Sequence, residues 1–460
     1  MTYEPNEVEK QEYLAYHSER DFFNNLDRGL NEIEKYSFFR KRKKVALISG
    51  AMVAFDKGTI NFLNKIIEND NKTQYILLSE VTAENRRKTR ETIKCDSICT
   101  PHLLAKEILV PYMNITVPNK VTVYIKKKKY LKKAIENLKR RHRNNIGQGY
   151  AEVLMYYADR YIRKVLDIIE PDCVWLWNEF YAFHMVFQNI CKRKHIDTMY
   201  MEFGCIPGTY VIEKTGQQGE SFPSRKSKQF NKLEITEEDC LNARKIIKYI
   251  YNNNLNRNIQ PPYGNIEKIV SRKAGSPIIV YMGQNDYESG MYPYTYKTRR
   301  FHSPVFKSTL EGLEYLNLLA IKNGWILLYK PHPIMEILEN DNVQNMTIER
   351  LKNVNIHEVI DYSDVILTIL SQSAYIALIR GKPVVMLGYT QLRNSGCIYE
   401  AYRKKEIELK IISALEKRYT KEQRINFNMH MARMMKYCLF DSMRHPDFEF
   451  GKKISEEVYF

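Results

Sequence analysis

The sequence has no apolar run approaching the roughly 18 residues that a membrane-spanning helix needs. Residues 1–10 are acidic and polar and lack the apolar core of a secretion signal, so the chain is expected to be cytoplasmic. Its eight cysteines are scattered. Cys95 and Cys99 are the one close pair, and no second Cys/His pair lies near them to complete a zinc site, so reduced, buried thiols are expected. No tandem repeat is visible, and no nucleic-acid-binding motif. The turn Ser49-Gly50-Ala51 lacks the GxGxxG pattern, which removes the indication for a dinucleotide cofactor. Negative charge is in deficit: 54 Asp and Glu stand against 71 Lys and Arg, a net +17. That excess favours an anionic partner (nucleic acid, a phosphorylated substrate or an anionic membrane surface) without choosing among them.

At 460 residues the chain can form two or three domains with large cores. Residues 1–40 read as a polar helical extension in which Phe22, Phe23, Leu26, Leu30 and Ile33 share one face. A buried strand over 45–50, a helix over 59–69 and a strand over 74–78 then open a Rossmann-like unit. A helix over 150–169, a strand over 173–177 ending at Asn178-Glu179, a helix over 183–194 and a strand over 197–201 ending at Glu202-Phe203-Gly204 continue it. Pro207-Gly208-Thr209 reads as a break into a loop, and 214–232 as an excursion or linker rich in Gly, Ser, Gln and Lys. Thr236 with Asp239 marks a capped helix start. The second half repeats the alternation: strands over 277–282, 325–329, 353–357, 365–370 and 383–387, and helices over 309–323 and 372–380, the latter closed by Gly381.

The expected organisation is an N-terminal helical extension (1–40), a Rossmann-like domain (41–225), a linker and helix (226–272), a second Rossmann-like domain (273–400) and a helical tail (401–460), the two domains suited to transfer of a group from a nucleotide donor to an acceptor. The fold class is α/β, two Rossmann-like domains facing a cleft. Residues 126–143 hold ten Lys and Arg and one acid, Glu136, with Tyr130, Leu131, Ala134, Ile135 and Leu138 at helical spacing. Such a basic amphipathic helix suits an anionic membrane or polyanionic acceptor, and equally a solvated helix face.

In open α/β sheets ligands bind at the carboxyl ends of the strands, and several polar residues fall there. Lys330-Pro331-His332-Pro333 follows one strand, its prolines restricting the chain so that the imidazole is held in one extended pose. Ser371-Gln372-Ser373 opens a helix, where hydroxyls and free N–H groups suit a phosphate; simple capping is the other reading. Glu202, beside Gly204, could take a proton from an acceptor hydroxyl. Glu179 and Asp172 rival it on the same grounds. Gln284, Asp286, Glu288 and Ser289 are further candidates to line the site.

This combination resembles the bacterial capsule polysaccharide biosynthesis proteins that include Kdo transferases, and is similar in motifs to bacterial sialyl- and polysialyltransferases. The likeness spans roughly 170–395 and rests on Glu202-Phe-Gly-Cys-Ile-Pro-Gly-Thr209, Gly283-Gln-Asn-Asp286, His332-Pro333, Ser371 with Ser373, and Gly381-Lys-Pro-Val384. It implies a GT-B glycosyltransferase moving Kdo or sialic acid from a CMP-activated donor to a capsular polysaccharide or glycolipid. Lys330, His332, Pro333, Ser371, Ser373, Gln284 and Asp286 would bind the donor, with His332 and Glu202 catalytic and Gly204 and Glu179 on the acceptor side. No acidic pair is arranged for a metal, so neither metal nor cofactor is expected, and no nucleic-acid partner. Two features depart from the related pattern: Phe203 stands where a second acid is usual, and Gln372 splits the serine pair. A GT-B enzyme using a UDP- or GDP-sugar, or a glycan- or nucleotide-binding assembly protein without turnover, are the alternative readings.

Overall fold

The computed structural model describes residues 19–50, 56–79, 93–99, 115–141, 147–264, 266–270, 275–332, 349–351, 353–442, 445 and 447–451. They form two compact units. The first comprises the described residues up to Glu202 with Ile212–Lys214; the second comprises Phe203–Val211 and those from Thr215 onward.

The strands, in chain order, are β1 (Lys44–Ser49), β2 (Thr73–Ser79), β3 (Asp96–Cys99), β4 (Cys173–Trp177), β5 (Asp197–Phe203), β6 (Thr209–Glu213), β7 (Ile278–Met282), β8 (Ile326–Lys330), β9 (Glu349–Arg350), β10 (Val365–Thr368), β11 (Val384–Met386), β12 (Tyr399–Glu400) and β13 (Leu439–Asp441). One sheet runs β13-β6-β5-β4-β1-β2-β3, the other β12-β11-β10-β7-β8-β9. Within the first, β3, β2, β1, β4 and β5 are parallel neighbours, and β13 pairs antiparallel with β6. The second is parallel throughout. Counted within its own unit, each parallel core has the doubly wound order 3-2-1-4-5, which reverses between its first and fourth strands. The α/β class and the two Rossmann-like halves expected from the alternation are therefore present.

These strands form because their sequences are continuous apolar runs, as sheets covered on both faces require. Every residue of Cys173–Trp177 and of Ile278–Met282 is buried, and each large apolar side chain so buried stabilises its unit by about 1.5–3 kcal/mol. In the first unit, helix Glu19–Glu34 buries Phe22, Leu26, Leu30 and Ile33 in the same core as helix Gln148–Ile169. In the second, helix Glu237–Asn252 starts in the expected capping box, Thr236 with Asp239. Its Asp239 also holds Lys436 of helix Lys421–Tyr437 at 2.7 Å.

Four expectations differ from what is observed. Residues 214–232 are not a linker: helices Phe222–Arg225 and Ser227–Phe230 lie there, with Glu220, Ser221, Ser224 and Phe230 buried. Thr209 begins β6 rather than a loop. Residues 353–357 are not a strand, because Asn355 caps the helix Ile356–Tyr362 by accepting the His357 N–H. The chain passes between units after Glu202, Val211 and Lys214 rather than near 225–272, and the helix of that span packs in the second unit.

The basic block forms two helices, Asn119–Lys127 and Lys129–Arg141, broken at Lys128. Tyr130, Leu131, Ala134, Ile135 and Leu138 are all in the core of the first unit, so the apolar face is covered by protein and not offered to lipid. Lys126, Lys127, Lys129, Lys132 and Lys133 remain exposed. Lys128 and Tyr130 turn inward instead. They meet the fully buried Asp159, which also accepts from Tyr124 and Arg163. Burial alone would push the Asp159 carboxyl up, but these bonds hold it below the usual carboxylate range. No helix among the described residues is long and apolar enough to cross a membrane.

Candidate active site

The crevice of a doubly wound sheet lies where strand order reverses, outside the carboxyl ends of the strands. In the second unit that point is between β7 and β10, and four loops meet around it. Gly283, directly after β7, donates its N–H to the carbonyl of Lys330 at 2.8 Å. A Cβ there would lie 2.9 Å from the Tyr329 hydroxyl and 3.2 Å from the His332 nitrogen, so any larger residue would have to displace them. The close approach sets the Lys330-Pro331-His332 turn against the β7 loop.

Gln284 then crosses the reversal point. Its Oε1 accepts the Leu370 N–H at 2.7 Å, and its Nε2 donates to Asp286 Oδ1 at 3.1 Å. Asp286 in turn accepts from the Thr309 N–H at 2.8 Å and the Thr309 hydroxyl at 2.6 Å. Burial pushes the Asp286 carboxyl up, against the opposing effect of those bonds. Gln284 and Asp286 thus sit at the expected edge, but their polar atoms bind the loops to one another. They shape the site rather than project from it.

Past Leu370, the Ser371 N–H donates to Thr368 Oγ1 at 3.1 Å. Ser371 Oγ accepts from the Ser373 N–H at 3.2 Å and from the Ser373 hydroxyl at 2.9 Å. Both serines are only partly buried, at the start of helix Ser373–Ile379. Gln372 Nε2 donates to the Phe203 carbonyl at 3.2 Å, and the Arg257 guanidinium lies 5.0 Å over the Phe203 ring.

His332 is partly buried. Burial pushes its imidazole down to about 4; Glu288 opposes that shift and Arg257 adds to it. At neutral pH the ring is uncharged, able to donate from one nitrogen and accept at the other. Lys330 donates from Nζ to the Leu351 carbonyl at 3.3 Å. Pro333 lies outside the described residues. Lys330 at the end of β8, His332 and Ser371 on the following loops and Ser373 at a helix start are therefore gathered through Gly283 and Gln284 at one sheet edge of one unit.

The first unit has its own carboxyl edge. Glu202 is the sixth residue of β5 and is buried; Glu179 follows β4 and is buried as well. The two strands are in register at Trp177 and Met201, so Asn178-Glu179 and Glu202 end neighbouring strands. Asp172 is at the opposite end, before β4, bonded to Arg40 at 2.6 Å and to the Val45 N–H at 2.8 Å, which makes it structural. Gly204 belongs to the second unit and donates its N–H to the Thr209 carbonyl at 2.8 Å.

Two polar clusters were not signalled by any motif. At the reversal point of the first sheet, Ser49 Oγ lies 3.0 Å from His184 Nε2, and His184 Nδ1 lies 2.7 Å from the Asn178 carbonyl. A carbonyl can only accept, so Nδ1 carries the proton and Ser49 donates to Nε2. In the second unit, Glu220 meets His302 at 3.1 Å and Lys297 at 2.6 Å, with Glu220 and His302 both buried. Burial opposes it, but the His302 bond and the Lys297 charge hold the Glu220 carboxyl below its usual range. Their partners are far apart in sequence, so only the fold reveals them.

No family model matches the sequence, and no curated protein matches it. Among solved structures, the beta Kdo 2,7 transferase of Thermosulfurimonas dismutans KpsC is similar over 61% of this chain and 81% of that one, with 16% identity and a TM-score of 0.40. The UDP-GlcNAc 2-epimerase of Methanocaldococcus jannaschii covers 86% of this chain and 99% of its own at 11% identity and a TM-score of 0.35. The spinosyn rhamnosyltransferase SpnG covers 85% and 94% at 7% identity and a TM-score of 0.31. Likeness this distant leaves the chemistry of this chain to its own residues.

Proposed function

We propose that the chain is a glycosyltransferase that takes a sugar, Kdo or sialic acid, from a CMP-activated donor and passes it to a polysaccharide or glycolipid acceptor. The observation that carries this reading is the junction of His332, Lys330, Ser371 and Ser373 at the reversal point of the second sheet through Gly283 and Gln284. A phosphate seated there would lie beside the Ser371 and Ser373 hydroxyls, replacing the bond they now make to one another, and beside the His332 imidazole on the neighbouring loop. Lys330 supplies positive charge. In this reading these groups stabilise the leaving phosphate without a metal.

The reaction breaks the bond between the anomeric carbon and the phosphate oxygen of CMP, which leaves with the electron pair. The acceptor oxygen forms the new bond, and its proton passes to Glu202, with Glu179 on the neighbouring strand end as the rival base. The exposed lysines between Lys126 and Lys133 give the first unit a basic face suited by charge to an anionic membrane or an acidic glycan.

The test is transfer from a panel of CMP-, UDP- and GDP-sugars to capsular oligosaccharides, followed by release of the free nucleotide. CMP release that requires an acceptor and is lost in H332A and E202Q is the expected result. Full activity of both variants would remove the residue assignments. CMP binding without turnover would point to an assembly protein instead.

A further inference from the structure

The strand-start end of the second unit carries an open hollow of ≈ 570 Å³ lined by Tyr251, Asn252, Asn254, Tyr263 and Arg380. It is separate from the edge that holds His332. Arg380 follows the C-terminus of the helix whose first residue is Ser373, so about 10 Å of helix separates the two.

The construction of the hollow is specific. Arg380 donates from Nε to Asp361 Oδ1 at 2.6 Å and from a terminal nitrogen to Asp361 Oδ2, while its other terminal nitrogen donates to Asn254 Oδ1 at 2.9 Å. The planar guanidinium so fixed lies 5.1 Å from the centre of the Tyr251 ring. Tyr263 donates its hydroxyl to the same Asn254 Oδ1 at 3.3 Å. Asn254 itself is in the left-handed region at φ 47°, a conformation asparagine tolerates better than most residues. Two tyrosine rings are therefore anchored, one by stacking and one by its hydroxyl, yet each remains 48% exposed.

Anchored and open aromatic rings beside amide side chains are suited to a ligand with apolar faces and polar edges. A pyranose has both: its C–H groups pack on a ring face, and its hydroxyls exchange bonds with amides. The charge of Arg380 is matched by Asp361, so the floor is polar without being an anion trap, which disfavours a phosphate or nucleotide. An extended proline-rich peptide prefers a groove of aromatic ridges, and here the floor is amide and guanidinium.

We propose that this hollow is an oligosaccharide-binding site, distinct from the edge at which the nucleotide sugar would react. It does not depend on the transferase reading, because glycan binding is measurable without turnover.

The experiment is saturation-transfer NMR on the full chain with three probes: maltoheptaose, chitotetraose and an α2,8-linked sialic acid tetramer. At least one probe should bind saturably, and the Y251A/Y263A double variant should weaken it at least tenfold. Both rings are half-exposed, so the variant should keep the wild-type thermal midpoint. Excess CMP should leave the glycan signal unchanged. The proposal is overturned if no probe binds, if the double variant binds within threefold of wild type, or if CMP displaces the glycan. A chain that binds glycan in this way but does not respond to CMP would retain this site and lose the transferase reading.

Discussion

Gln372 donates its side-chain amide to the carbonyl of Phe203 at 3.2 Å. These are the two residues by which the sequence departs from the sialyltransferase-like pattern, one splitting the serine pair and the other standing in place of a second acid. The structure joins them. Both belong to the second unit, so an amide beside the serine pair fixes the backbone where the chain first enters that unit.

The first prediction concerns that bond. Q372A removes a donor to a backbone carbonyl, worth about 1 kcal/mol. Gln372 is a positioning residue, so turnover should fall about tenfold while CMP affinity changes less than threefold. Steady-state kinetics beside calorimetric titration of CMP separates the two. Equal loss in both would make Gln372 part of the nucleotide site.

Gln284 makes a stronger prediction for stability. Its Oε1 accepts the N–H of the buried Leu370. Q284L leaves that donor without its bond and takes from Asp286 the bond from Gln284, at a cost of about 1–3 kcal/mol. Urea unfolding should show the loss, with an unchanged slope. A midpoint equal to wild type would show that the staple is dispensable.

His332 predicts a pH dependence. Its folded value is about 4, below the 6.5 of a free histidine. The unfolded chain therefore binds this proton more tightly, and the contribution of His332 to stability is complete above 6.5 and is lost as pH falls from 6.5 toward 4. H332F should flatten the decline of the urea midpoint across that window. The imidazole signals should show the ring uncharged at pH 6 in the free protein, and a bound phosphate should move its titration upward, since a nearby anion favours the charged form. A ring that titrates near 6.5 in the free protein would contradict this.

Asp159 carries the fourth prediction. It is fully buried among Tyr124, Tyr130, Lys128 and Arg163. Its folded value is lowered from 3.8, so its contribution is present above that pH and lost below it. D159N leaves two cations without their partner. Because both are partly exposed, the expected loss at pH 7 is about 2–3 kcal/mol. A change under 0.5 kcal/mol in urea unfolding would show the cluster to be incidental.

Much of the fold was legible because its strands are fully buried apolar runs bounded by turns, as at 173–177 and 278–282, and its helices begin at readable caps such as Thr236 with Asp239. The misread segments had no such signal. Residues 214–232 are polar in composition, yet Glu220 is buried because His302 and Lys297, distant in sequence, pair with it. Asn355 looked extended because its capping bond is local and its helix short. The positions of His332, Ser371 and Ser373 at strand ends were readable from pattern. That Gln284 and Asp286 bind the loops together was not, since the identity of a hydrogen-bond partner 86 or 23 residues away is a property of the fold. The basic helix shows the same limit: its apolar spacing was plain, but only packing decides whether protein or lipid covers it.

The central claim is that the junction of His332 with Ser371 and Ser373 receives the phosphate of a cytidine nucleotide. Calorimetric titration of the full chain with CMP, UDP and GDP tests it most directly, in wild type, H332A and S373A. CMP should bind at least tenfold tighter than UDP or GDP, and each variant should lose about tenfold in CMP affinity, or about 1.4 kcal/mol. Tighter binding of UDP or GDP, or wild-type CMP affinity in both variants, would contradict it.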